Sequence, residues 1–279
     1  IAQDQGMEYI GPLTFNAARF FLGFLVLIVF GLIYEVNARQ VFVENRFAVG
    51  LNIFGLGFFL FLASILQQYS LLYTDVANSA FFTIFYVLFV PVLVFFLYSK
   101  IIHWAVWPSV ITCLIGGYYL SDFEDANVKF GDSLVILGAL FWGLHIVFIS
   151  RVIRLFDFPF LISAIQCFIV AIISAFLGII LEDFSLEGIL MEIPDILYAG
   201  ILSSGLAFLL QIYSQRLLAP APIALIFSIE GVFAAITAWL VLGQILQLEQ
   251  IFGCVLILLG VLFVKLMPMV FSNSSRSKH

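Results

Sequence analysis

Charge is what this chain has least of. Its 11 Lys+Arg and 17 Asp+Glu make up 10% of 279 residues, against roughly a quarter in an ordinary soluble domain. So few polar groups cannot cover a water-facing exterior, and the apolar surface must face lipid instead. Cysteine is also scarce. Cys113, Cys167 and Cys254 each sit inside an apolar run with no C-x-x-C or Cys/His spacing. That excludes a disulfide framework and a zinc site, and the three read as small core hydrophobes. A basic excess is missing as well: the formal net charge is −6, which excludes a nucleic-acid binder that works by neutralising phosphates. No ATP-binding loop, H-E-x-x-H or G-x-S-x-G occurs, no cofactor is implied, and one of the three histidines lies in the terminal tail.

What is present is hydrocarbon. Apolar residues make up 64% of the chain, 33 are Phe, and the mean hydropathy is +1.19, which excludes disorder and collagen-like repeats. A bilayer core of about 30 Å takes roughly 20 apolar residues per helix and offers no partner to unpaired backbone groups. The runs are too long and too uniformly apolar for barrel strands. The sequence therefore predicts an all-α membrane protein with nine spans, at 13–34, 47–72, 76–98, 101–120, 133–150, 158–181, 194–215, 219–242 and 249–267. Short connections argue for one bundle without a soluble domain.

Alternating the loops collects Arg39, Arg46, Lys100, Arg151, Arg154, Arg216, Lys265, Arg276 and Lys278 on one side, with Lys129 alone on the other. The positive-inside rule makes the first side cytoplasmic and puts the C-terminus there. The acidic groups Asp4, Glu8, Asp75, Asp122, Glu124, Asp125, Asp132, Glu182, Asp183, Glu187, Glu192, Asp195 and Glu249 fall on the other side. They read as ordinary solvated loops, or as loops that raise the local cation concentration. Nine spans leave residue 1 outside, and the residues given contain no stretch that reads as a cleavable leader with a basic start; a tenth span before residue 1 is expected.

The chain also matches itself. At an offset of 144, Leu62-Ala63, Leu66-Gln67, Tyr69-Ser70, Ala77, Ala80, Phe89 and Gly116 fall on Leu206-Ala207, Leu210-Gln211, Tyr213-Ser214, Ala221, Ala224, Phe233 and Gly260. At an offset of 147, Pro12 falls on Pro159, and Ile1 to Gly11 falls on Phe148 to Phe158. Residue 1 is thus expected near the end of a helix. The halves are 1–121, lacking most of its first helix, and 131–267, followed by a cytoplasmic tail at 268–279. Five spans per half is an odd number, so the second half is expected to insert upside down, as in secondary transporters with inverted repeats.

Three stretches carry a family resemblance. They run from Gly6-Met7-Glu8 through Gly11-Pro12-Leu13-Thr14-Phe15-Asn16 to Arg19-Phe20, from Leu66-Gln67-Gln68 through Leu72-Tyr73-Thr74 to Phe89-Val90-Pro91, and from Ala224 through Ser228-Ile229-Glu230-Gly231 to Ala235. Together they resemble the EamA type of the drug/metabolite transporter superfamily. The resemblance implies ten helices in two inverted five-helix repeats, a central cavity lined by the first four helices of each half, and small-metabolite transport across a bacterial inner membrane. The chain departs from that pattern in its nearly absent first helix and in Gly231, where such proteins usually have Pro.

Ionisable groups inside spans are costly and default to function. Glu230 lies about eight residues into its helix, roughly 12 Å deep at 1.5 Å per residue. It can take a proton or a substrate amine, or stand neutral between helices. Arg19 can meet an anion in the cavity, snorkel to the headgroups or pair structurally. Gln67, Gln68 and Gln211 can bind ligand or join helices, the latter worth about 1 kcal/mol in model systems. Ser79, Thr83 and Tyr86 share a helix face, and Tyr86 aligns with Glu230 in the repeat. Trp142 and His145, at i and i+3, can stack on a cationic or aromatic ligand and relay protons, or pack as core. The glycines Gly116, Gly117, Gly253 and Gly260 favour close helix packing, and Pro91 a kink. These residues point to a carrier for small organic compounds, amino-acid-like or amphiphilic, with lipid and protons as its other partners. A membrane-embedded enzyme lacks a clustered nucleophile, base or metal set, and a channel needs a pore lined by charges or carbonyls.

Overall fold

A computed structural model describes residues 2–38, 46–121, 129–183, 185–243 and 245–276. Among them every regular element is a helix. In chain order these are α1 (Ala2–Gln5), α2 (Pro12–Tyr34), α3 (Arg46–Ser70), α4 (Val76–Thr83), α5 (Tyr86–Tyr98), α6 (Val106–Leu120), α7 (Phe130–Leu155), α8 (Pro159–Leu181), α9 (Leu186–Met191), α10 (Ile193–Tyr198), the π-helical α11 (Ala199–Ala207), α12 (Phe208–Leu217), α13 (Pro220–Phe227), α14 (Ile229–Leu242) and α15 (Leu248–Arg276). Joining the abutting segments leaves eight stretches long and apolar enough to cross a membrane, plus the shorter apolar α6. The fourth span expected at 101–120 thus starts at Val106, and the last helix runs on to Arg276, into the expected tail. Of the loop charges used for orientation, Arg39, Asp122, Glu124, Asp125 and Lys278 lie outside the described residues.

Local chemistry sets the ends. Pro sits in the first turn of α2, α8 and α13, where its missing N–H costs nothing and its fixed φ suits the helix. The caps after α5 and α14 are Ser99 and Gly243, both left-handed, with φ 51° and 66°, and they stand 144 residues apart. Glycine takes that conformation without strain and serine does not.

The two spans expected at 76–98 and 219–242 are each interrupted. The first breaks at Ile84 and Phe85 between α4 and α5, the second at Ser228 between α13 and α14, at matching positions of the 144-residue repeat. Hydroxyls compete for the backbone beside each break: Thr83 Oγ1 donates to Ser79 O at 2.7 Å and Ser228 Oγ to Leu225 O at 2.6 Å. The stretch after the first break tightens to i→i+3 bonds, Ile84 O accepting from Val87 N–H at 2.9 Å.

The chain forms two compact units, Ile1–Tyr73 with Phe148–Leu217, and Thr74–Val147 with Leu218–His279. Neither coincides with a sequence half, because each draws helices from both. In the first unit α2 packs along α8 and α11, and Val49, Ile53, Leu56, Ile149, Val152, Ile162 and Ile212 form a buried cluster. In the second unit α6 packs along α15 beside a core that includes Val87, Val90, Val110, Ala139, Ile146 and Ala224. At the start of α7, Asp132 accepts from Thr74 Oγ1 and Lys129 N–H. Lys129 also pairs with Asp75, whose carboxyl it holds below the usual range.

The α6–α15 pair runs antiparallel, and its contacts map onto themselves under the repeat. Gly116 faces Gly253 while Gly260 faces Ser109 and Cys113. Cys113 Sγ reaches Ile257 O at 3.8 Å, 144 residues away. A Cβ on Gly253 would sit 2.5 Å from Gly116 O and 2.8 Å from Leu120 N, both backbone atoms. Gly253→Ala should therefore lower stability by about 1–3 kcal/mol, read as a lower melting temperature in detergent. Gly50→Ala, with nothing within 4 Å of the added carbon, should leave it unchanged or slightly raised.

Candidate functional site

Nine of the residues singled out from the sequence divide between the two units. Arg19, Gln67, Gln68 and Gln211 belong to the first; Thr83, Tyr86, Trp142, His145 and Glu230 belong to the second. In the first unit the second turn of α2 carries Arg19 inward, where it is 3% exposed. Its Nε and Nη2 both donate to Asn16 Oδ1, at 3.1 and 2.9 Å. Its guanidinium also lies 4.7 Å from the centre of the Phe20 ring. Asn16 in turn donates through Nδ2 to Ser64 Oγ at 3.2 Å and Ser174 Oγ at 3.0 Å, which ties α2 to α3 and α8. Arg19 therefore does not snorkel. Neither ion pair found among the described residues involves it, so an amide and two aromatic faces carry its charge.

Small residues let this cluster close. A Cβ on Gly200 would lie 3.0 Å from Arg19 O, and one on Gly23 would lie 3.1 Å from the Ser204 backbone. Cys167 Sγ donates to Ser204 O at 3.3 Å within the same contact of α8 and α11. The three glutamines stand apart from the Arg19–Asn16 bonds. Gln68 is fully buried and donates through Nε2 to Gln3 O at 2.6 Å, which fastens α3 to α1. Gln67 is half-buried on the same helix, and Gln211 is buried on α12.

In the second unit the two repeat-matched positions flank the helix breaks. Tyr86 is the first residue of α5 and is buried; Glu230 is the second residue of α14. They lie within electrostatic reach of each other. Thr83 ends α4 one turn before Tyr86, and Ser228 Oγ lies 3.6 Å from Cys113 Sγ. Placed in the first turn of α14, the carboxylate faces the positive end of that helix. On α7, Trp142 and His145 meet edge to face at 6.0 Å, with His145 fully buried. Gly143 between them lies against Phe89 and Leu93 of α5. Among the described residues no cluster of three or more His, Cys, Asp or Glu can hold a metal.

The sequence profile of the EamA-like transporter family matches residues 1–121 and 129–266. The chain belongs to that family. A protein of Archaeoglobus fulgidus named "Uncharacterized transporter" is 30% identical over 260 residues, covering 93% of this chain and 79% of that protein. Another of that name, from Methanothermobacter thermautotrophicus, is 27% identical over 63% of this chain and 52% of its own length. The Arabidopsis thaliana protein WALLS ARE THIN 1 is 30% identical over 148 residues, and the match spans 52% of this chain but 38% of that protein. A crystal structure 18% identical superposes over 95% of this chain and 91% of its own with a TM-score of 0.79, a likeness of fold. The EamA-like chain is thus a multi-pass membrane protein of a transporter family.

Several residues escaped sequence reasoning. Asn16, Ser64 and Ser174 are ordinary polar residues in apolar spans, and only the fold shows them meeting. Glu182 and Glu192, read as solvated, are engaged instead: Glu182 accepts from the start of α2, and Glu192, 4% exposed, accepts from Tyr9 N–H at 3.1 Å. One signal was available for Glu182. It follows its span at the position matched by Glu35 at the 147-residue offset.

Asn16→Leu would strip two charge-assisted bonds from a buried guanidinium, a loss of about 3 kcal/mol. Asn16→Asp keeps the acceptor and adds the missing negative charge. In this EamA-like protein the melting temperature in detergent should fall clearly for the first variant and hold for the second.

Proposed function

We propose that this chain is a secondary transporter that moves small organic metabolites, amino-acid-like or amphiphilic compounds, by alternating access. Its two halves, 1–121 and 131–267, are inverted repeats of a five-helix unit. The direction is export across the inner membrane of a bacterial cell, with the C-terminus and the arginine-rich loops on the cytoplasmic side. Glu230 carries the coupling proton. The candidate substrate contacts are Arg19, Gln67, Gln68, Thr83, Tyr86, Trp142, His145 and Gln211.

The observation that carries this reading is the matched pair of helix breaks. Spans that depart from regular α-helix at equivalent positions of two halves point to a transporter's binding region, and here the backbone carries through each departure on tightened i→i+3 bonds. Here the breaks place Tyr86 and Glu230 at the same register. The antiparallel run of α2 against α8 and of α6 against α15 supports opposite orientation of the two halves.

Proton transfer fits the chemistry of Glu230. A carboxylate at mid-span is expensive to keep charged without a partner, so proton uptake and substrate binding compete naturally for it. Purified protein in liposomes, challenged with a panel of amino acids and amphiphiles, should show saturable flux with counterflow that follows an imposed pH gradient. Glu230→Gln should cut the gradient-driven flux at least tenfold and leave counterflow measurable. Unchanged gradient-driven flux in that variant would remove the coupling role, and flux that neither saturates nor counterflows would favour a channel.

A further inference from the structure

The first turns of α2 and α8 share an unusual arrangement. The first N–H groups of a helix have no partner within it, and a local side chain normally supplies one. Here the residues in that place are Gly11 and Phe158, and neither makes a side-chain cap. The partners come from the opposite helix. Glu182, directly after α8, accepts from Leu13 N–H at 2.7 Å through Oε1, and from Thr14 N–H and Thr14 Oγ1 at 2.8 Å through Oε2. Glu35, directly after α2, accepts from Phe160 N–H and Leu161 N–H at 2.9 Å through its two oxygens.

The two arrangements match, since each backbone donor and each carboxylate in the first has its counterpart 147 residues away in the second; the Thr14 hydroxyl alone has none, because Leu161 stands in its place. Both close the same antiparallel pair at opposite ends. A helix of 23 residues is about 34 Å long, so one carboxylate lies at each face of the bilayer. The fit is close at the first end: a Cβ on Gly11 would fall 2.2 Å from Glu182 Cδ. Small side chains along the rest of the seam repeat the symmetry, with Gly31 against Leu161 and Gly178 against Leu13 and Thr14.

We infer that Glu35 and Glu182 are paired, proton-released clasps, one at each membrane face, each locking its own end of α2–α8 and opening independently of the other. An ionised carboxylate offers acceptors to both N–H groups. A protonated one has turned an acceptor oxygen into a donor and lost its attraction to the helix end. Because neither helix carries its own cap, opening a clasp leaves bare N–H groups that then exchange with solvent.

The surroundings differ between the ends. Glu35 faces Arg216 on α12 and Asp157 in the turn before α8. Glu182 faces the hydroxyl of Tyr69 on α3, with Tyr73 beyond it and Asp183 next in the chain. Burial pushes the Glu35 carboxyl above its ordinary range, and this outweighs its two backbone bonds and Arg216. A raised carboxyl holds its proton to a higher pH, so on acidification the Glu35 clasp releases at milder acidity than a free glutamate would protonate. This device needs only that α2 and α8 pair, and it stands whether or not the chain couples transport to protons.

Hydrogen exchange of the full chain in nanodiscs, resolved to single amides, tests it. At neutral pH, Glu182→Gln should speed exchange of Leu13 and Thr14 by about tenfold and leave Phe160 and Leu161 unchanged; Glu35→Gln should do the reverse. In the wild-type protein, mild acid should speed the Phe160 and Leu161 amides beyond the change in intrinsic rate. Acceleration of both ends by either single substitution would overturn independent clasps. Wild-type amides that follow only the intrinsic rate would overturn release by protons, a result that needs no variant to fold.

Discussion

Every backbone N–H and C=O that enters hydrocarbon must find its partner within the protein, and that demand governs this molecule. Helices meet it along their lengths and leave it unmet at their ends. Those are the places where the chain spends its few polar side chains. Two glutamates serve the starts of α2 and α8, Asp132 serves the start of α7, and hydroxyls of Thr83 and Ser228 turn back on the backbone where the spans are interrupted. Charge is rare here because each charged group has to be justified by a donor or acceptor that lipid cannot supply.

The same scarcity explains how helices hold together. Lipid tails are as apolar as leucine, so burial alone gives one helix no reason to prefer another, and close packing with occasional hydrogen bonds must do it. Gly116, Gly253 and Gly260 bring two backbones into contact along α6 and α15, and Gly23 and Gly200 do so for α2 and α11. Polar anchors are then placed where packing has already excluded lipid. Arg19 sits in such a place: its charge rests on Asn16 and on Phe20, inside a contact that glycine permits. Glu230 is treated differently. It stands in the first turn of α14, at the end of a helix that welcomes negative charge.

Much of the fold was legible beforehand, and the reasons are particular. Long apolar runs have one stable answer in lipid, so the spans were placed within a few residues. Pro12, Pro159 and Pro220 each stand in the first turn of a helix, where the missing N–H costs nothing. The interruption before Tyr86 left no trace in hydropathy, since Ile84 and Phe85 are as apolar as any helical residue. Glu182 looked like a loop acid among other loop acids, and its donors lie 168 and 169 residues earlier in the chain. Asn16 gave no signal of its own, because its worth depends on three partners from three helices.

By itself, then, the sequence determined the medium, the all-helical class and the internal match that pairs Tyr86 with Glu230. Composition and local periodicity suffice for those, because solvation acts on each residue separately. Which helices lie side by side, which carboxylate closes which helix end, and which buried cation meets which amide were decided only by the tertiary structure. Hydrogen bonds between residues more than a hundred positions apart depend on the direction and distance of two helices, and no single stretch of sequence encodes both.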